Sequence, residues 1–485
     1  MTSAALPDPV WAAARTRPDA PAVITLEKAL TYAELDRRIE ETVQWLRDPG
    51  FRGFRDRFAL YRPADADSIV FLLAAFRTGR VVCPISTRLP PAAVPDLLKQ
   101  VGVQALVAAP DAAWDGLTVL DPADADRPLS RSAPKAPQRD APWKLTDPAT
   151  LVFTSGSTGT PKVALHTLGA HVASAEGSVA FFGLGPGDRW LLNLPLYHVG
   201  GLAVLVRCVL AGAAVVLPEA RTSVEETVRA HGVTHLSLVA TQLLRVLQGN
   251  DPEALAGTNA VLLGGSAVPP GLLAEAHALG LPVHASYGLT EMASTVTATP
   301  PGASLGALGT SGVVLPNREV QIADDGEILV RGATLFTGYV EAEATHRPAR
   351  AGWFQTGDLG RWTEVDGQRM LQVVGRKDHL FISGGENVQP EEIEAALGQI
   401  EGVRRAVVVP AADAEFGQRP VAFVDAERWT PEAWRDGLAG TLARFKIPDA
   451  FHPWPDEAET GMKVNRTAMR ERAARLQSLP SDHDR

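Results

Sequence analysis

Along most of the chain, short apolar runs rich in Val, Leu and Ala alternate with longer stretches whose apolar residues recur every three or four positions. The first pattern predicts buried strands and the second predicts helices with one face in a core. On this reading 22–25 is a strand, 32–46 a helix and 105–108 a short strand. Further along, 167–182 is a helix, 189–193 a strand, 202–210 a helix and 213–217 a strand. Such alternation predicts mostly parallel sheets covered by helices, an α/β architecture. Over 306–339 the pattern changes: strands 319–322 and 327–330, joined by Asp324-Asp325-Gly326, predict a β-rich subdomain. After Val374-Gly375-Arg376 it restarts, with helix 390–397, strands 406–409 and 421–424, and helix 431–443. The expectation is a large N-terminal domain at 1–377 and a small α+β C-terminal domain at 378–485. Residues 121–148, rich in Pro, Asp and Ala, predict a surface connection.

One stretch, 199–217, is almost wholly apolar. Arg207 at its middle would be costly in a bilayer, and Gly200, Gly201 and Gly212 punctuate it. A buried helix followed by a short strand is expected there, with no integral membrane segment. At 485 residues the chain is too long for one core, so two or more domains are expected. With 46 Lys+Arg against 56 Asp+Glu, the net charge of −10 disfavours nucleic acid or an anionic membrane as partner. Cys83 and Cys208 alone form neither a disulfide framework nor a metal-binding spacing. Asp8, Arg15 and Arg17 break up any leader-like pattern. Both features suggest a cytoplasmic protein, and a homo-oligomer is left open.

The densest chemistry lies in LVFTSGSTGTPK (151–162). An apolar run opens into a loop where Gly156 and Gly159 permit close backbone approach. Thr154, Ser155, Ser157, Thr158 and Thr160 add hydroxyls and Lys162 a point charge, a set suited to a polyphosphate. The loop is not a Walker motif, because Lys162 follows Pro161 and Val163 stands where a magnesium-binding Ser or Thr belongs.

This loop resembles the phosphate-binding signature of the adenylate-forming (AMP-binding) superfamily, which includes acyl-CoA synthetases. Further segments resemble that superfamily in its usual order. LPLYHVGGL (194–202) is similar to the segment whose histidine, here His198, lies by the carboxylate pocket. LLGGSAVP (262–269), with Gly264, Gly265 and Ser266, and SYGLTEMAS (286–294), with Ser286, Tyr287 and Gly288, resemble adenylate-contacting segments. The resemblance implies that Tyr287 flanks adenine, Thr290 reaches the α-phosphate and Glu291 holds Mg²⁺. In GWFQTGDLG (352–360) it implies that Asp358 takes both ribose hydroxyls, a task its two acceptor oxygens suit. In VVGRKDHLFISGGENVQPEEIE (373–394) it implies that Arg376 supports the ribose and Asp378 is a hinge between domains. In TGMKVNR (460–466) Met462 replaces the family's usual glycine, and the catalytic lysine is carried to Lys463 on its spacing from Arg466.

The implied activity is ligation of an acid to coenzyme A, with ATP and Mg²⁺, through an acyl-adenylate. VTHLSLVATQLLRVL (233–247), YGLTEMASTV (287–296) and the GMK variant most resemble the branch acting on o-succinylbenzoate. That small-molecule substrate carries a second carboxylate, which needs a buried or partly buried cation. Arg207 and Arg245 are the candidates, each equally open to a structural pairing with a local Asp or Glu. Other aryl or medium-chain acids, and a non-catalytic adenylate-binding protein, are the competing readings.

Overall fold

The computed structural model describes residues 5–47, 56–109, 114–121, 142–154, 162–219, 221–341, 344–346, 349–350, 352–455, 459–460 and 463–477. Two large sheets organise the chain. In the first, strands Pro148–Thr154, Val81–Pro84, Arg57–Leu60, Ala105–Val107 and Thr118–Leu120 run parallel in that spatial order. Antiparallel strands Lys162–Thr167, Gly338–Glu341 and Ala344–His346 extend its other edge. In the second, six parallel strands lie in the order Val283–Leu289, Ala260–Leu263, His235–Leu238, Arg189–Leu191, Ala214–Val216, Pro21–Ile24. The predicted α/β alternation is therefore present.

One apolar core joins these sheets. It takes Phe58, Val82 and Val152 from the first, Val23, Trp190, Val215 and Leu262 from the second, and the helices between them. Helices Leu168–Phe182 and Val199–Ala211 are buried on nearly all sides, so their apolar composition shows little facial segregation. The apolar run 199–217 is this second helix followed by strand Ala214–Val216. Among the described residues no helix is long and apolar enough to cross a membrane.

The β-rich region is an antiparallel sheet of Arg318–Ile322, Glu327–Gly332, Trp353–Val365, Ala349–Arg350 and Gln368–Arg376. Tyr339, expected in it, belongs instead to the first sheet, where it pairs with Ala164. The small C-terminal domain packs helices Pro390–Leu397 and Arg466–Gln477 on a sheet of Val403–Asp413, Gly417–Ala426 and Ala450–Pro453. Its helix Pro431–Ala439 stops four residues before the expected end, at Gly440, a poor helix former. The segment 121–148 is not surface connection at its far end. Trp143 is fully buried against Phe76, and Trp143–Lys144 pairs with Ala5–Leu6.

Three N-terminal helices are tied by one guanidinium. Arg77 meets Asp8 at 2.7 Å, Asp36 at 2.6 Å and Glu40 at 3.8 Å. Asp8 also caps helix Pro9–Thr16 through the Val10 and Trp11 amides. Arg77→Met should strand buried carboxylates against one another and cost about 3–5 kcal/mol. Denaturant unfolding monitored by circular dichroism checks this; a cost below about 1 kcal/mol would place the network among ordinary exposed pairs.

Candidate active site

Ligands of open α/β sheets sit beyond the carboxyl ends of the strands. Here those ends carry several of the predicted residues. Gly264, Gly265 and Ser266 leave strand Ala260–Leu263, and Ser286, Tyr287 and Gly288 lie in its neighbour Val283–Leu289. Ser286 Oγ donates to the Leu263 carbonyl at 2.7 Å, which binds the two segments together. At Gly288 a β-carbon would lie 2.3 Å from the Ser294 carbonyl oxygen, so glycine is required where the strand bulges against Ser294–Ala298. Thr290 and Glu291 occupy the single 3₁₀ turn that follows, Thr290–Met292.

That turn leads into unusual backbone: Ala293 and Ser294 have φ of 52° and 112°. Non-glycine residues in such regions cost on the order of 1–3 kcal/mol each and need support. Buried groups supply it. His166 Nε2 donates to the Thr290 carbonyl at 2.7 Å, Ser174 Oγ to the Ala293 carbonyl at 2.7 Å, and the Phe336 amide to the Glu291 carbonyl at 2.8 Å.

Two polar clusters flank the turn. In one, Tyr287 Oη donates to Asp358 Oδ2 at 2.6 Å, while Arg376 bonds Asp358 Oδ1 at 2.9 Å and Asp378 Oδ1 at 2.8 Å. Asp358 and Arg376 are direct cross-strand partners. Burial raises the Asp358 pKa above the usual carboxylate range, with Tyr287 and Arg376 opposing it. In the other cluster, Tyr339 Oη donates to Glu291 Oε1 at 2.5 Å, and Lys162 Nζ lies 5.2 Å from the centre of the Tyr339 ring. Burial first, and then Glu291, push the Tyr339 hydroxyl pKa up, so it stays a donor. Thr154 Oγ1 donates to the Lys162 carbonyl at 3.4 Å across the base of the loop. Ser155, Gly156, Ser157, Thr158 and Gly159 lie outside the described residues.

Among the described residues no three His, Cys, Asp or Glu gather as a metal cage. Glu291 keeps one oxygen beyond its bond to Tyr339, a donor set that fits a hard cation sharing its other ligands with phosphate.

His198 is exposed at the N-cap of helix Val199–Ala211, its ring 4.7 Å from that of Tyr197. Arg207 is 1% exposed. Its Nη2 donates to Thr295 Oγ1 at 3.2 Å, its guanidinium lies 5.1 Å from the Trp190 ring centre, and no carboxylate among the described residues pairs with it. Arg245, expected as a buried or partly buried cation, is exposed. Helix Ala240–Leu247 buries Leu243, Val246 and Leu247 and turns Arg245 outward, into a cleft of about 400 Å³ lined also by Arg404, Arg405 and Asp425.

In the small domain, Lys463 begins the short strand Lys463–Val464. Arg466, three residues on, bonds Glu394 at 2.7 Å and the Val408 carbonyl at 2.9 Å, anchoring the segment to helix Pro390–Leu397 and its sheet. Tyr339, His166, Ser174 and Arg318 were not singled out from the sequence. Each meets the site through a strand or helix far away in the chain, so no local motif marks it.

Residues 10–340 match the AMP-binding enzyme family, and residues 392–461 match the AMP-binding enzyme C-terminal domain. The chain is 34% identical to the 2-succinylbenzoate–CoA ligase of Salmonella typhimurium over 464 residues, covering 94% of this chain and 96% of that one. It superposes on o-succinylbenzoate CoA synthetase of Bacillus subtilis in complex with the acyl-adenylate intermediate OSB-AMP. The TM-score is 0.83 at 29% identity, covering 96% of this chain and 98% of that one. The Bacillus enzyme in complex with ATP and magnesium ion gives 0.82 at 29% identity, covering 96% and 99%.

Burial holds His166 down at about 4, against 6.5 for a free imidazole, with the bond to Thr290 opposing it. As pH falls the unfolded chain takes up the proton first. Stability is therefore full above about pH 6.5 and declines toward pH 4. His166→Gln keeps a donor for Thr290 and removes this titration. Between these limits the variant should lose about 3 kcal/mol less unfolding free energy than the parent. Urea titrations at several pH values check this, and matching slopes would rule out a buried neutral His166.

Proposed function

The chain belongs to the AMP-binding enzyme family, and we propose that within it this protein is an ATP-dependent 2-succinylbenzoate–CoA ligase. The observation that carries the substrate is Arg207, a buried guanidinium without a carboxylate partner among the described residues, hydrogen-bonded to Thr295 in the strand that follows the turn bearing Thr290 and Glu291. Burial lowers it to about 10, so it stays charged at neutral pH. A dianionic acid supplies the missing counter-charge; a fatty or simple aryl acid does not.

A carboxylate is a poor acyl donor because its charge is delocalised and oxide does not leave. Its attack on the ATP α-phosphorus forms the acyl-adenylate and expels pyrophosphate. The CoA thiol then attacks the acyl carbon and AMP leaves. Positioning and charge stabilisation dominate such chemistry. We assign Thr154, Lys162 and the loop between them to the phosphates, Thr290 to the α-phosphate, and Gly264, Gly265, Ser266, Ser286, Tyr287 and Gly288 to the adenylate. Asp358 takes the ribose hydroxyls: one lone pair on each oxygen is engaged by Tyr287 and Arg376, and one on each remains. Glu291 is the residue we assign to a magnesium ion, which when bound would neutralise phosphate charge. His198 is assigned to the reacting carboxylate and Lys463 to the charge developing at the α-phosphate. With a boundary at Lys377-Asp378, between a large domain at 1–377 and a small one at 378–485, Asp378 is the hinge.

Pyrophosphate release with CoA and a panel of acids tests the assignment. Turnover should be far higher with 2-succinylbenzoate than with benzoate or octanoate, and equal turnover of a monocarboxylate would exclude the reading. Arg207→Gln should remove a charge-assisted bond worth about 1.5–3 kcal/mol, a loss that should nearly vanish with 4-oxo-4-phenylbutanoate, which lacks the ring carboxylate.

Lys463→Ala should cripple adenylate formation yet spare thioester formation from supplied acyl-adenylate, a step that transfers no phosphoryl group. Single-turnover assays of each half-reaction check this. Parallel loss in both would give Lys463 a role in docking the domain.

A further inference from the structure

Arg318 opens strand Arg318–Ile322 of the antiparallel sheet, yet its side chain is buried beside helix Leu168–Phe182. One guanidinium nitrogen donates to the Ser174 carbonyl at 3.2 Å and another to the Thr295 carbonyl. Arg207 holds the hydroxyl of the same threonine. Thr295, itself buried, is thus gripped by two guanidinium groups, and among the described residues neither has a carboxylate partner. Among the described residues the Nε of each lacks a hydrogen-bond acceptor. Burial, and then Arg207, lower Arg318 to about 9. A second feature shows the chain built around this group. Gly177 sits inside helix Leu168–Phe182, where glycine costs roughly 0.5–1 kcal/mol relative to alanine. A β-carbon there would lie 2.9 Å from Arg318 Nη2 and 2.8 Å from the Pro316 carbonyl oxygen.

We propose that Arg318 is a positioning residue for recognition of the substrate's second carboxylate, acting through Thr295 on Arg207. It fixes Thr295 by the carbonyl, so that the hydroxyl sets the direction of the Arg207 guanidinium. Its own charge adds to the demand for an anion that the protein does not provide. The spectator carboxylate meets that demand, so the proposal rests on the reading of Arg207 above.

The test compares kcat/KM for 2-succinylbenzoate and 4-oxo-4-phenylbutanoate in the full chain and in Arg318→Met, Arg318→Lys and Gly177→Ala. Arg318→Met should cut the preference for the dicarboxylate by about tenfold or more, chiefly through KM, as expected for one charge-assisted bond. Arg318→Lys should recover part of it, and Gly177→Ala, which crowds the guanidinium, should shift it the same way by less. Equal losses on both acids would reduce Arg318 to a support for the turn and overturn the proposal, as would an unchanged preference. Should Arg318→Met not fold, an unchanged preference in the other two variants overturns it. A parent enzyme with no preference for the dicarboxylate would instead sink the ligase reading itself. If Arg207→Gln loses the preference and no Arg318 variant does, only the present inference fails.

Discussion

The site depends on a backbone segment that would not hold its shape alone. Ala293 and Ser294 sit at positive φ without being glycine, immediately after the Thr290–Met292 turn. Isolated, that segment would relax, and Thr290 and Glu291 would lose their direction. It persists because helix Leu168–Phe182, strand Lys162–Thr167 and strand Arg318–Ile322 each bring a buried donor to one of its carbonyls. These donors come from the inter-sheet core and the antiparallel sheet. The packing of two sheets and a third is thereby converted into the geometry of a few ångströms.

Charge is handled in two opposite ways in the same chain. Around Arg77, buried carboxylates outnumber the cation and tie three helices together. Around Thr295 two buried guanidinium groups stand without a carboxylate among the described residues. The first arrangement ties the helices together, because the buried cation finds its counter-charges within the protein. The second leaves positive charge without a carboxylate, among the described residues, in a low-dielectric place, which is costly unless an anion is supplied from outside. Asp358 lies between these cases. Burial raises its pKa, and Tyr287 and Arg376 each hold one of its oxygens.

Much of the architecture was legible in the chain. Alternating apolar runs and helical periodicity predicted the parallel sheets, and Asp324-Asp325-Gly326 predicted a hairpin that forms with Gly326 at φ 83°. Helix Tyr32–Leu46 has the predicted limits because Thr31 and Glu34 cap it reciprocally. The long hairpin from Trp353 to Arg376 was missed, since its strands carry many polar residues and lack a simple alternation. Trp143 was misread because its Pro- and Asp-rich surroundings hide a residue whose burial is decided by Phe76.

The sequence by itself determined the order of motifs, the phosphate-loop composition and the presence of Arg207 inside an apolar run, because these are properties of neighbours along the chain. Tertiary structure alone decided which of two arginines is buried. Arg245 faces outward on a helix whose other face packs in a core, while Arg207 has no outward face at all. It alone brought Tyr339 to Glu291, His166 to the turn, and Ser174 and Arg318 to the residues just after it. Those contacts join residues 23 to 124 positions apart. Only the packing of sheets and helices, which no local pattern encodes, puts them within hydrogen-bond distance.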